Sequence, residues 1–273
     1  MLIDLHTHTT ESDGTWTPEQ LVEEAAARGL SVIAVTDHDT TAGVKAAQEH
    51  APEGLAVVPG IELNAVGPDG EEVHIVGLWI DPDYTPLQDQ LTVLREARIG
   101  RIEKMLKQLR ELGFALDYEE VAKYAQRDVI SRSHIASALL EKGYVSTKQE
   151  AFQTLIGQGC PAYVERYKLG PERAVELIRG AGGIAVLAHP GLMRNLDVIP
   201  TLVDSGLTGL EVIHSSHSPK QEEQFLSLAE ELHLLPSGGS DCHGPGGKDH
   251  VFLGKYTIPV AWFNNLAARR GQQ

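Results

Sequence analysis

Metal-capable side chains recur at the ends of successive short apolar runs, and no other feature restricts the fold of this chain as much. His6 and His8 follow the run at residues 2–5, with Asp13 in the loop beyond. Asp37, His38 and Asp39 (TDHDT) end the run at 31–36, Glu62 ends the run at 55–63 within PGIELNA, and His74 begins or lines the run at 72–80. His189 (AVLAHPG) ends the run at 184–188, His214 and His217 follow the run at 209–213, and Asp241 with His243 (GSDCH) follows the run at 234–238. Short apolar runs separated by amphipathic stretches read as strands alternating with helices, and so as parallel strands in an α/β core. Residues two apart on a strand point to the same side, which puts His6 and His8 on one face. In a parallel barrel the C-terminal strand ends share the face where active sites sit.

The helices between the runs carry their own signals. Residues 17–28 (TPEQLVEEAAAR) offer a threonine cap, Pro18 in the first turn, early acids and Gly29 after the end. A second helix is expected over 41–49. From about 85 to 162 the strand signals stop. The longest helical candidate there covers 91–112, with Leu94, Ile102, Met105, Leu106 and Leu109 at roughly helical spacing. Shorter ones cover 118–124, 133–141 and 148–157. Alternation resumes with helices at 171–181, 195–204 and 219–231. The expected organisation is a barrel domain formed by 1–84 and 163–273, interrupted by a helical insertion or cap at 85–162. Seven runs form the barrel, with an edge or cover segment at 251–258.

Each chemical element has a plainer explanation when taken alone. A lone histidine such as His74 or His189 is more often structural, and DHD reads equally as a self-capping loop. Glu62, after an apolar run, is a costly place for a charge unless paired or coordinated. The joint occurrence at successive strand ends favours shared metal binding. Histidine and carboxylate without cysteine suit Mn²⁺, Zn²⁺ or Fe²⁺ better than Mg²⁺. The candidates are too many for one ion, so two or three divalent cations are expected, Mn²⁺ first, with Zn²⁺ or Fe²⁺ as alternatives. Such clusters hold phosphate oxygens, acidify a water and offset charge on a departing oxygen.

The net charge of −15 argues against a broad basic surface for long duplex nucleic acid. It leaves room for a small anionic substrate, because bound cations reverse the local field. Cys160 and Cys242 are the only cysteines; two thiols so far apart suggest a reducing compartment, although one disulfide stays open. MLIDLHTHT lacks the pattern of a cleaved signal peptide, and no apolar stretch approaches the roughly 18 residues of a membrane span. A cytoplasmic protein without a membrane partner is expected.

HTHT, TDHDT, GIELNA, LAHPG and GSDCHG, in this order, resemble the polymerase and histidinol phosphatase (PHP) family over nearly the whole chain. The resemblance implies an α/β fold, a distorted (β/α)7 barrel with its metal cluster at the strand ends. It further implies that His6, His8, Glu62 and Asp241 hold one metal, and that Glu62 bridges to a second held by His74 and His189. Asp13, His38 and His243 would hold a third. The closer likeness is to a subgroup with a helical insertion, carried by RIGR at 98–101 and SRSHIASALL at 131–140. Its members act on nucleoside 3′,5′-bisphosphates or degrade RNA from the 5′ end. There the insertion holds the phosphate that is not cleaved, which implies substrate contacts from Arg98, Arg101, Arg132 and His134. Ser133 stands where such relatives often carry proline.

The residues themselves support those contacts less strongly. Arg98 and Arg101 lie one helical turn apart with forks suited to phosphate, yet an ordinary basic helix face explains them too. Arg132 and His134 stand at a helix start, where backbone N–H groups favour anions, and surface capping accounts for them as well. Lys168 and Arg194 are weaker candidates, and His50, His233 and His250 have no spacing argument. The expected reaction is hydrolysis of the 3′-phosphate of a nucleoside 3′,5′-bisphosphate, with Asp13, His38, His243 and His214 in the catalytic set. The alternatives are a 5′→3′ exonuclease on short RNA or DNA, a histidinol phosphate phosphatase, and a non-enzymatic PHP-like binding module. The paired arginines disfavour the substrate amine of the second, and the complete ligand set disfavours the third. The oligomeric state has no signature in the sequence.

Overall fold

The computed structural model describes residues 1–124, 130–165, 167–246 and 252–270. The chain forms two compact units, Met1–Asp89 with Lys168–Gln273, and Gln90–Tyr167. In the first unit seven strands line up in chain order in one sheet: β1 (Leu2–Asp4), β2 (Leu30–Val35), β3 (Ala56–Val66), β4 (Glu72–Leu78), β5 (Ile184–Leu187), β6 (Gly209–His214) and β7 (Leu235–Gly239). Helices α1 (Pro18–Ala27) and α2 (Ala42–His50) follow β1 and β2. Between β4 and β5 come α3 (Thr85–Glu111), α4 (Tyr118–Ala122), α5 (Arg132–Glu141), α6 (Lys148–Ala151) and α7 (Pro171–Gly180). The last are α8 (Ile199–Asp204), α9 (Pro219–Glu231) and α10 (Val260–Arg269).

Beyond its paired strands the sheet nearly closes on itself. Leu5 N–H donates to Gly238 O, Asp241 N–H donates to His6 O, and Thr7 bridges Cys242 in parallel register. The result is the expected distorted (β/α)7 barrel. Local sequence sets several of its elements. Thr17 and Gln20 form a reciprocal cap with Pro18 in the first turn of α1, and Ser218 with Gln221 does the same at α9.

The strands are not all parallel as alternation implied. β4 runs antiparallel to both β3 and β5. The connection from β3 to β4 is a tight loop at 67–71, in which Gly67 N–H donates to Glu71 O at 2.8 Å. A parallel crossover needs about a dozen residues, so this loop permits only a hairpin. Because β4 runs the other way, His74 near its start lies at the face where the parallel strands end.

Three further expectations change. The segment expected as an edge or cover at 251–258 acts as a cover without strand structure: residues 253–255 form a turn and Ile258 N–H donates to Ile3 O, while residue 251 and His250 lie outside the described residues. The helix α10 follows it, where the sequence suggested none. The helix expected at 148–157 is α6 followed by a π-helical turn, Phe152–Ile156, and the one expected at 195–204 contracts to α8.

The barrel is filled by Ile3, Val32, Ala34, Val58, Val76, Leu78 and Val186, and α1 and α2 cover it with Leu21, Val22, Ala25, Val44 and Ala47 against Ile33 and Val35. The second unit has its own core, with Ile102, Met105, Leu106 and Leu109 of α3 against Ile135 and Leu139 of α5. No helix among the described residues is long and apolar enough to cross a membrane.

One glycine is required where β7 passes the extension of β1. A Cβ on Gly239 would lie 2.5 Å from His6 Cβ and collide with His6 N. Gly239→Ala is therefore expected to destabilise the protein by about 1–3 kcal/mol through overpacking, read as a lowered midpoint in thermal or urea unfolding.

Candidate metal centre

His6 and His8 lie just past the end of β1, not on it, but the chain stays extended there. Thr7 N–H donates to Thr36 Oγ1 (3.1 Å) and its hydroxyl donates to Ala34 O (2.6 Å). Thr7 is thereby tied to the barrel wall, and both histidines, fully buried, share the opposite side. TDHDT is held the same way. Glu62 N–H donates to Asp37 O and Asp39 N–H donates to Glu62 O, a ladder step that sets His38 beside Glu62. The Asp37 carboxylate accepts from Thr9 N–H (2.7 Å), Thr9 O–H (2.8 Å) and Ser12 O–H (2.6 Å), and so pins the loop that carries Asp13.

The Glu62 carboxylate is the hub. Oε1 lies 2.9 Å from His74 Nδ1 and 3.0 Å from His189 Nε2. Oε2 lies 3.0 Å from His38 Nδ1 and 3.3 Å from both His6 Nε2 and His8 Nε2. Asp241 Oδ1 is 2.9 Å from His8 Nε2, and Asp13 Oδ1 is 3.1 Å from His243 Nε2. All nine residues picked out as ligands in the sequence thus gather at one place. One ligand atom from each of His6, His8, Glu62 and Asp241 lies within 4.8 Å of the others; the same holds for His8, Asp13, His38 and His243, and for His38, Glu62 and His74.

The donor set fits divalent cations. His6 Nε2, both nitrogens of His8, His38 Nδ1 and Glu62 Oε2 are buried without a hydrogen-bond partner. Buried polar atoms seldom go unpaired, and here they converge. The outer nitrogens settle which atoms carry lone pairs inward. His6 Nδ1 donates to Glu211 Oε1 (3.0 Å) and His243 Nδ1 donates to Asp241 O (2.8 Å), so each presents an unprotonated Nε2.

His6, Glu211 and His214 also come within metal-binding reach of one another, but their hydrogen bonds speak against an ion there. His6 Nδ1 carries its proton toward Glu211. His214 Nδ1 accepts from Ser216 N–H (3.1 Å), which places the His214 proton on Nε2, 3.5 Å from Asp241 Oδ2. His214 therefore acts as a donor into the site.

Burial opposes charge on His8, yet the carboxylates of Asp241 and Glu62 close to its Nε2 push it up to about 10. Burial likewise opposes ionisation of Glu62, and His38, His6 and His74 together hold it well below the carboxylate range. Asp13 follows the same pattern, lowered against its burial by His243 and His38. Cations entering such a site must displace protons.

Two residues that carry the site were not picked out in the sequence. Glu211, in the middle of β6, holds His6 through Oε1 and accepts His189 N–H through Oε2 at 2.6 Å. His189 has φ 28°, a left-handed conformation that a non-glycine residue keeps only when its surroundings fix it. Asp4, fully buried, accepts from Ser240 N–H (2.8 Å) and Gly254 N–H (3.3 Å) and ties β1 to the loop bearing Asp241. Its burial raises it to about 6. Of the weaker candidates, Arg194 is engaged with Glu71 through its backbone N–H and Nε. His217 is structural, its Nδ1 donating to Val212 O and its Nε2 accepting from Gly191 N–H.

The expected substrate residues lie in the second unit. Arg101 and Arg132 approach one ring, each guanidinium carbon 5.8 Å from the centroid of Tyr163. His134 turns Nδ1 back to accept Ser131 N–H (3.1 Å) at the start of α5, and Arg98 is part-buried on α3.

Comparison with known proteins agrees with this geometry. The chain is 37% identical to a 3′,5′-nucleoside bisphosphate phosphatase of Chromobacterium violaceum over 90% of each chain. It is 35% identical to the 5′-3′ exoribonuclease Rnm of Salmonella typhimurium over 90% of this chain and 86% of that one. A solved structure from Bifidobacterium adolescentis, assigned as a metal-dependent phosphoesterase, superposes with a TM-score of 0.81 at 32% identity, covering 98% of this chain and 96% of the other. The PHP domain itself matches residues 4–157, more than half of the sequence. With the barrel, the gathered ligands and these relatives in agreement, the chain belongs to the PHP domain family.

Proposed function

We propose that this protein is a metal-dependent phosphoric ester hydrolase that removes the 3′-phosphate of nucleoside 3′,5′-bisphosphates, giving a nucleoside 5′-phosphate and inorganic phosphate. The observation that carries the reading is the complete, inward-facing ligand set around Glu62 in a chain that matches a bisphosphate phosphatase over nine-tenths of both lengths. The assignment is the one the family resemblance implies; it departs from the gathered groups in giving His189, 3.0 Å from Glu62 Oε1, the place beside His74 that His38 takes there. His6, His8, Glu62 and Asp241 hold one cation, Glu62 with His74 and His189 a second, and Asp13, His38 and His243 a third. Six imidazoles against three carboxylates favour Mn²⁺, with Zn²⁺ or Fe²⁺ as substitutes. Bound cations supply neutralisation of the phosphoryl oxygens and acidification of the attacking water.

The remaining steps fall to the chain's own groups. Asp13, His38 and His243 would hold the third cation, and the Asp13 oxygen that is not a ligand would orient the attacking water and accept its proton. His214, with its proton on Nε2, donates to the leaving 3′-oxygen; Ser216 N–H on Nδ1 fixes that tautomer. Arg98, Arg101, Arg132 and His134 hold the 5′-phosphate. The two free thiols, Cys160 and Cys242, suit a reducing cytoplasmic setting.

The test is phosphate release from adenosine 3′,5′-bisphosphate with Mn²⁺, which is expected to proceed and to stop on chelation. Inactivity there beside brisk cleavage of another ester would overturn the reading. Arg132→Ala is expected to raise KM for the bisphosphate about tenfold through loss of a charge-assisted phosphate contact, measured by steady-state kinetics. A second reading, 5′→3′ exoribonuclease action on short RNA, is favoured by the match to Rnm over 86% of that protein. Direct comparison of the bisphosphate with a 5′-phosphorylated trinucleotide separates the two.

A further inference from the structure

We infer that Tyr163 and Phe152 are positioning residues that gather Arg101 and Arg132 into one preorganised dianion-binding pair; this rests on the bisphosphate reading and adds residues to it. The two arginines come from different elements, α3 and α5, and meet at a single ring. Each guanidinium carbon lies 5.8 Å from the Tyr163 centroid, and that of Arg132 also lies 5.7 Å from the centroid of Phe152. Arg101 is fixed a second time, its Nε donating to the carbonyl of Val164, next to Tyr163, at 2.7 Å. All four side chains are part-buried.

Two guanidinium groups on one ring repel each other. The ring quadrupole offsets part of that repulsion, and a dianion reached by both guanidinium groups would offset more. The backbone is built to keep Phe152 there. It opens the π-helical turn Phe152–Ile156, a local widening of the kind found at functional sites. Cys160 Sγ supports that turn by donating to the carbonyls of Phe152 (3.6 Å) and Gln153 (3.2 Å). Flexible arginines held on rings lose less freedom when they bind an anion, so the aromatic pair tightens binding without touching the substrate.

The readout is selectivity: the ratio of kcat/KM for adenosine 3′,5′-bisphosphate to that for adenosine 3′-monophosphate. Tyr163→Leu is expected to lower this ratio about tenfold, through KM, while Tyr163→Phe keeps it because the ring face remains. Phe152→Leu, which removes one of the two rings at Arg132, is expected to lower it about threefold and serves if Tyr163→Leu folds poorly by circular dichroism. In an Arg101→Ala/Arg132→Ala background, Tyr163→Leu is expected to change the ratio no further, a coupling that a merely structural role would not produce. An unchanged ratio in Tyr163→Leu, or an undiminished effect without the arginines, overturns the inference. If the wild type shows no preference for the bisphosphate, it is the functional reading that fails.

Discussion

Glu62→Gln is expected to lower turnover at least about a thousandfold and to empty part of the metal centre. Among the described residues no other side chain is shared so widely: its two oxygens lie within 3.3 Å of five imidazoles, those of His6, His8, His38, His74 and His189. Glutamine keeps the volume but loses the charge and one of the two acceptor oxygens, and its amide cannot bridge two cations. A thousandfold loss corresponds to about 4 kcal/mol of transition-state stabilisation, the scale on which a bound cation acts on a phosphoryl group. Metal content by mass spectrometry is expected to drop by at least one ion per chain. A variant with full metal content and turnover within tenfold of wild type would remove Glu62, and the cluster around it, from the chemistry.

The candidate ligands that gather around Glu62 were legible because most of them sit at or just past the end of an apolar run, in short motifs whose residue types have few other uses together. HTHT and TDHDT show this best: a charged group beside a buried strand demands an explanation even before its partners are known. The supporting residues were not legible. Glu211 sits inside GLEVIH, where alternation reads as one outward-facing acid on a strand, and its partner His6 is 205 positions away. Asp4 reads as the polar residue of a short edge, although it ties together segments 236 and 250 residues downstream. The direction of β4 is a different case. Buried strands look alike whether parallel or antiparallel, but the loop at 67–71 is too short for a crossover, so its length did hold the answer. The aromatic contacts of Arg101 and Arg132 were hidden because Tyr163 and Phe152 stand far from them in sequence, and the π-helical turn that Phe152 opens leaves no periodic trace.

Glu211→Gln offers the sharpest test of how the protein, as distinct from its ligands, builds the centre. Glu211 faces two donors, His6 Nδ1–H on Oε1 at 3.0 Å and His189 N–H on Oε2 at 2.6 Å. A carboxylate satisfies both; a glutamine has one oxygen and one NH₂. If the oxygen keeps His189 N–H, the NH₂ meets His6 Nδ1, and relief comes only by moving the His6 proton to Nε2. That nitrogen then loses the lone pair with which it would hold a cation beside Glu62 and Asp241. If the amide takes the other orientation, His189 N–H is left buried and unpaired at about 1–3 kcal/mol, and the left-handed backbone at His189 loses its anchor. Either way metal affinity is expected to fall about 10–100-fold, read by metal titration. Glu211→Asp, which keeps both acceptors on a shorter arm, should recover part of it. Charge on Glu211 is itself favoured in the folded protein: burial opposes it, but His6 and His214 hold the carboxyl below its ordinary value. The stability this gives the metal-free protein is therefore present above the ordinary glutamate pKa and is lost as the pH falls through the lowered one; Glu211→Gln should lack that component. An unchanged metal affinity alongside a lowered unfolding midpoint would make Glu211 a fold-stabilising residue alone, and the tautomer of His6 would then need another cause.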